Sequence, residues 1–193
     1  MHYNRIHITG GAASGKTWLA DRIGLELGVE PVHLDLEVVD FESRNKSHKS
    51  RMMKPVEARR ELIGAIVARE RWVTEGAYFD WAEPLYPAAD LIIHLEVPWR
   101  IASYRIIARH LKAELRRDNR FPGWRRLYRF WSWNRLFYLN RREDGLDGST
   151  GAPMTARSIH ALLQPYIQKV RICRSGRDVE PLLRDRASSK GTA

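Results

Sequence analysis

Arg5-Ile6-His7-Ile8-Thr9-Gly10-Gly11-Ala12-Ala13-Ser14-Gly15-Lys16-Thr17 is the stretch that decides the fold. Ile6 and Ile8 alternate with polar residues up to a glycine pair, which reads as a first strand. Gly10 to Thr17 then completes a GxxxxGK[ST] pattern, the Walker A motif. A helical repeat follows, with Leu19, Ile23 and Leu27 four apart and Gly28 as the stop. The chemistry of Gly10, Gly11, Ala12, Ala13, Ser14, Gly15, Lys16 and Thr17 is that of a phosphate cradle. Small residues let main-chain amides curl around phosphate oxygens, and the start of the helix adds positive potential. Lys16 reaches the β and γ phosphates of ATP, and the Thr17 hydroxyl is a ligand for Mg2+.

Outward from this loop, strand and helix patterns alternate. Strands are expected over Pro31–Asp35, Trp72–Thr74, Leu91–Val97 and Val170–Cys173. Helices are expected from Pro55 to Glu70, Trp99 to about Arg117, on to about Arg142 after a break at Phe121-Pro122-Gly123, Thr155 to Gln168 with an interruption at Pro165, and Asp178 to Arg186. The polar, basic stretch from Glu42 to Lys54 and the glycine-rich stretch from Glu143 to Pro153 read as an excursion and a loop. Strands alternating with helices define an α/β class: a three-layer P-loop NTPase fold with a parallel five-stranded sheet, helices on both faces and a helical arginine-rich lid. One domain over residues 1–186 is expected, with the lid at about 99–142 and a flexible tail at 187–193.

Composition bounds the rest. The 193 residues are 44% apolar, and the single cysteine, Cys173, forms no intrachain disulfide and no zinc cluster. A reducing, cytoplasmic setting is the expectation, with no membrane partner, because Met1 to Ile8 lacks the apolar core of a secretion signal. The net charge of +10 is concentrated in one place. Pro98 to Arg142 holds thirteen basic residues, twelve of them arginine, against Glu114 and Asp118, which leaves +11 in that segment alone. Three readings of it stand open: a lid that neutralises phosphate charge, a nucleic-acid surface in which Trp124, Tyr128, Trp131 and Trp133 stack bases, or an amphipathic helix with solvated arginines.

Ligands of a parallel sheet gather beyond the carboxyl ends of its strands. Asp35 and Glu75 stand there, one suited to orient an acceptor hydroxyl and the other to a magnesium nucleotide, with Glu37 and Glu96 as competitors. Arg105 and Arg109, four apart, share a helix face.

The P-loop, His33-Leu34-Asp35, Trp72-Val73-Thr74-Glu75-Gly76-Ala77-Tyr78 and the strand between Ala89-Asp90 and Val97-Pro98 together resemble the adenylate-kinase-related bacterial proteins called DNA topology modulation kinases. The similarity runs from about Arg5 to Leu183. It implies that Glu75 stands where adenylate kinases carry an aspartate that helps hold magnesium. It implies that Asp35 stands where shikimate-kinase-like enzymes place the aspartate that contacts the acceptor hydroxyl. It further implies that Arg105 and Arg109 are lid arginines, and that Ser175 and Gly176, in the turn Arg174-Ser175-Gly176-Arg177, line adenine. Two departures bear on the acceptor: Ala77-Tyr78-Phe79 replaces the Phe-Pro-Arg of adenylate kinases, which counts against AMP, and no long zinc-type lid is present.

The expected function is ATP-dependent phosphoryl transfer to a small-molecule or nucleotide acceptor, with Lys16, Asp35, Arg105 and Arg109 as catalytic residues and the acceptor pocket walled by Leu36 to Arg60 and Tyr78. The alternative is an ATP-binding, nucleic-acid-associated protein that uses its basic aromatic segment.

Overall fold

Five strands, all pairing in parallel, form the central layer in the order β2-β3-β1-β4-β5 of a computed structural model. They are β1 (Arg5–Gly10), β2 (Val32–His33), β3 (Trp72–Glu75), β4 (Leu91–Leu95) and β5 (Val170–Cys173). The helices are α1 (Lys16–Leu27), α2 (Leu34–Glu37), α3 (Val56–Val67), α4 (Leu85–Ala88), α5 (Trp99–Arg116), α6 (Trp124–Tyr138) and α7 (Ala156–Leu163). The structure describes residues 3–38, 54–119, 122–141, 155–175 and 177–181. The excursion read over residues 42–53, the loop over 143–153 and the tail lie outside the described residues.

Because side chains alternate along each strand, the sheet buries a different set on each face. Ile6, Ile8, Val73, Ile93 and Leu95 pack on one face against Leu19, Ala20 and Ile23 of α1. On the other face Ile92 and Trp72 pack with Leu34, Ile63, Ile66, Leu85, Ile159 and Leu163. That second face also carries a buried polar pair, His7 Nδ1 and Thr74 Oγ1, 2.8 Å apart on register partners of β1 and β3.

Several boundaries differ from the sequence expectation, each for a local reason. The second strand is only two residues long. Leu34 turns inward into the core, the Val38 amide donates to its carbonyl, and Asp35 and Glu37 fall in the first turn of α2, where acidic side chains suit the helix dipole. The fourth strand closes at Leu95, two residues early, before Pro98 caps α5. The helix expected to reach Arg142 stops at Tyr138, and Asn140 turns left-handed at φ 55°. The helix expected to run to Gln168 becomes a 3₁₀ turn over Gln164–Lys169, since Pro165 has no amide to donate. Its start is secured by a reciprocal cap: the Ser158 amide donates to Thr155 Oγ1 and the Thr155 amide to Ser158 Oγ. The short α4, unread in the sequence, carries the buried Leu85 and Tyr86. Of the closing helix, residues 177–181 are helical and the remainder lies outside the described residues. Among the described residues no helix is long and apolar enough to cross a membrane.

Candidate functional site

The loop after β1 leads straight into α1 and is shaped by glycine and alanine in conformations that larger residues resist. Ala13 and Gly15 have φ of 59° and 105°. A Cβ on Gly10, at φ 144°, would lie 2.5 Å from the Leu95 carbonyl oxygen of the neighbouring strand. The first amides of α1 have no partner inside the helix. Ser14 Oγ is buried in the loop without a hydrogen-bond partner, a polar atom that an anion in the loop's hollow would satisfy.

Lys16 folds back over the loop, its Nζ donating to the Gly11 carbonyl at 3.0 Å. Burial holds its pKa below the ordinary lysine range. Glu75 and Asp35 offset part of that shift, while Arg109 adds to it.

Glu75 closes β3 and is 3% exposed. Its Oε1 accepts from Thr17 Oγ1 at 3.1 Å and faces His33 Nδ1 at 3.2 Å, while His33 Nε2 faces Asp21 Oδ1 at 3.2 Å. Asp35, on the first turn of α2, accepts from the Tyr78 hydroxyl at 2.6 Å. The two competing acids are elsewhere: Glu37 is exposed on α2, and Glu96 is occupied by His160 Nε2 at 2.9 Å and Arg174 Nε at 2.8 Å.

Arg105 reaches from α5 to the cradle, its Nη1 donating to the carbonyls of Ser14 at 3.0 Å and Ala13 at 3.2 Å. Beside it opens a cavity of about 650 Å³ that runs from Gly15, Lys16 and Thr17 past Arg105 and Arg109 to Ser175. Its walls include Trp18, Ile101 and Cys173, whose thiol burial pushes up to about 11. Asp178 braces the Ser175 turn by accepting from the amides of Arg174 and Ser175. Gly176 lies outside the described residues. The far side of the cradle is roofed by α6, where the Tyr138 hydroxyl donates to the Ala12 carbonyl at 2.7 Å.

The structure thus brings together Lys16, Thr17, Glu75, Asp35, Arg105, Arg109 and Ser175. His33, Tyr138, Trp18 and Ile101 join the site without having been singled out by the sequence reading.

Among the described residues no cluster of three or more His, Cys, Asp or Glu side chains is placed to hold a metal alone. The fit to magnesium is of another kind: a Thr17 hydroxyl and a buried carboxylate meet at the mouth of a phosphate-shaped loop, leaving phosphate and water to supply the other ligands.

No protein-family model and no curated protein sequence matches the chain. Solved structures do. Shikimate kinase from Bacteroides thetaiotaomicron superposes with a TM-score of 0.50 at 16% identity, over 98% of this chain and 99% of that one. Shikimate kinase from Acinetobacter baumannii in complex with shikimate gives 0.49 at 13% identity over 98% and 96%, and a gluconokinase from Sinorhizobium meliloti 1021 gives 0.47 at 12% over 96% and 90%. At these identities the likeness is one of fold. The class is the α/β fold of the P-loop kinases, as its sheet and cradle define it. The finer resemblance, to the DNA topology modulation kinases, finds no support in these comparisons.

Proposed function

We propose that the protein is a kinase that transfers the γ-phosphoryl group of ATP to a hydroxyl of a small-molecule or nucleotide acceptor. The observation that carries this reading is the pairing of a phosphate cradle with a second, separately held carboxylate. Asp35 is fixed by Tyr78 and lies close enough to Lys16 to affect its titration. A protein that only sensed ATP would have no use for that acid.

In this reading the cradle amides and Lys16 hold the β and γ phosphates, and the 650 Å³ cavity takes the nucleoside, its base near Ser175. Thr17 and Glu75 would hold magnesium, which neutralises polyphosphate charge when bound. Asp35 orients the acceptor hydroxyl and takes up its proton as the acceptor oxygen bonds to the γ phosphorus. The bond from that phosphorus to the bridging oxygen breaks, and ADP leaves. Arg105 and Arg109 turn from the cradle's carbonyls and Lys16 toward the phosphates, where their charge is worth most in transfer. The wall of the acceptor pocket read over residues 39–53 lies outside the described residues. Of the wall read over Leu36 to Arg60 and Tyr78, residues 36–38, 54–60 and Tyr78 fall among the described residues, and Tyr78 holds Asp35.

The test is a panel of acceptors incubated with labelled MgATP: hydroxy acids such as shikimate, sugar acids such as gluconate, and nucleoside monophosphates. Transfer to one class is expected, abolished by Lys16→Ala and strongly reduced by Asp35→Asn. Wild-type ADP affinity in Lys16→Ala would overturn the cradle assignment, and full transfer by Asp35→Asn would remove Asp35 from the acceptor site.

A further inference from the structure

Phosphoryl transfer accounts for Arg105 and Arg109 but leaves the outer face of the α5–α6 hairpin without a role. α6 spends its apolar stripe inward: Leu127 and Trp131 are partly buried, and Asn134 and Phe137 are fully so. Trp131 Nε1 donates to Ser103 of α5 at 2.7 Å, so the ring is committed to the hairpin's own packing. Two further aromatic residues touch the hairpin on one side only, Trp124 with its ring centroid 5.9 Å from that of His110 and Tyr128 with its own 6.4 Å from that of Trp131, and are otherwise open. Trp124 and Tyr128 are 67% and 68% exposed. They stand one helical turn apart, about 6 Å along the axis. Beside them Arg125 and Arg129 repeat the same spacing one residue on, with Arg126 nearby.

The electrostatics of this face do not serve the helix. α6 opens with Arg125 and Arg126 and no acid of its own in its first turn, the end at which the helix dipole disfavours cations; the Glu114 carboxylate of α5 reaches that end but accepts there from the Gly123 amide at 3.0 Å and from Asn119 Nδ2 at 2.9 Å. Among the described residues none of the Arg125, Arg126 and Arg129 guanidinium groups forms an ion pair or hydrogen bond. Arg116 and Arg117 at the end of α5 add charge of the same sign at the same tip. Like charges held together without partners weaken a fold, and an anion bound across them removes the penalty.

The chemistry of the patch selects among anions. On α6 cations and ring faces are interleaved, Arg125 beside Trp124 and Arg129 beside Tyr128, so insertion of these two rings into a bilayer would bury guanidinium groups with them; the exposed apolar residues Ile107, Leu111 and Leu115 stand on α5. A second copy would oppose positive to positive. A duplex offers phosphates but keeps its base faces stacked away from Trp124 and Tyr128. A flexible polyanion with free planar faces uses both features: phosphates on arginine, bases on the rings. We propose that the outer face of the α5–α6 hairpin binds single-stranded nucleic acid, an interaction that does not depend on the phosphoryl-transfer reading.

The test measures anisotropy of a labelled 20-nucleotide single strand of mixed sequence, its duplex, and vesicles containing phosphatidylserine, each titrated with the full chain at several salt concentrations. The single strand is expected to bind at least tenfold more tightly than the duplex, and vesicles not at all. Arg125→Ser with Arg129→Ser should lower the magnitude of the log–log salt slope by about 1.4, at about 0.7 per cation on a single strand. Trp124→Ala and Tyr128→Ala should each weaken binding by at least about fivefold with the salt slope unchanged, as loss of stacking does. All four substitutions fall on exposed positions, and retained melting temperature confirms that each variant folds. Absence of binding, equal binding of duplex, preference for vesicles, or aromatic variants indistinguishable from wild type would each overturn the proposal.

Discussion

Thr17 and Glu75, 58 positions apart, are joined through one carboxylate oxygen: Thr17 Oγ1 lies 3.1 Å from Glu75 Oε1, and His33 Nδ1 faces that same oxygen from the other side at 3.2 Å. Among the described residues no hydrogen bond reaches Oε2, so the two groups that fix the carboxylate share one oxygen. The groups that orient a ligand carboxylate typically change metal affinity when lost. Glu75→Ala should therefore weaken MgADP binding while changing metal-free ADP binding little. His33→Ala should reduce the same ratio by about tenfold, and His33→Asn, which keeps a donor near the Nδ1 position, should recover part of it. Calorimetry with and without magnesium reads both; an unchanged ratio in His33→Ala would show that Glu75 holds its position unaided.

Lys16 separates stability from function. Its ammonium is buried, and its lowered pKa reflects the cost of keeping it charged. Lys16→Met should leave the melting temperature of the nucleotide-free protein equal or higher. It should also abolish the stabilisation by ADP, which at a concentration of 100 Kd is about 2.7 kcal/mol. A variant that melts earlier without nucleotide yet keeps the ADP shift would contradict both halves of this expectation.

The roof over the cradle depends on a glycine. A Cβ at Gly11 would lie 2.6 Å from the Tyr138 ring and 2.8 Å from Phe137. Gly11→Ala should therefore displace α6 and weaken both stability and ADP binding, and combining it with Tyr138→Ala should restore part of the loss. Tyr138→Phe, which removes only the bond to the Ala12 carbonyl, should cost about 1 kcal/mol. Chemical denaturation of the four proteins decides it: a double variant no better than Gly11→Ala alone would place the strain elsewhere.

How much of this was legible in the sequence follows the range of the contacts. The cradle is local, eight consecutive residues, and the strand before it and the helix after it stand where they were expected. Asp35, Glu75, Arg105 and Arg109 were reachable because a parallel sheet delivers strand ends and following helices to one edge. What stayed hidden is tertiary. Tyr138 meets Ala12 across 126 positions, and Glu96 is claimed by His160 and Arg174, 64 and 78 positions away. No spacing rule connects such pairs. The Leu34-Asp35-Leu36-Glu37 run alternates like a strand but forms α2, because burial of Leu34 and the Val38 amide bond decide its backbone. In α6 the period marks Leu127, Trp131 and Phe137 as inward, but arginine interleaved with aromatic residues hides that Trp124 and Tyr128 point out.

Acid should unfold the protein from within its sheet. Burial, reinforced by the Lys16 charge, lowers the His7 pKa to about 3, and burial with the neighbouring His160 lowers that of His94 to about 4. Both rings are neutral in the folded protein at pH 5, whereas in the unfolded chain they protonate near 6.5. Between those values the unfolded state binds more protons, so stability is fully present above about pH 6.5 and falls as the pH drops toward 4, by about 1.4 kcal/mol per unit for each ring. The pair should thus cost about 4 kcal/mol between pH 7 and pH 5. Urea denaturation at the two pH values measures the difference. His94→Gln should remove about half of it, since Gln takes on no proton in that range. A wild-type loss below about 1 kcal/mol would mean that the two rings are reached by water or by a counter-charge before the fold opens.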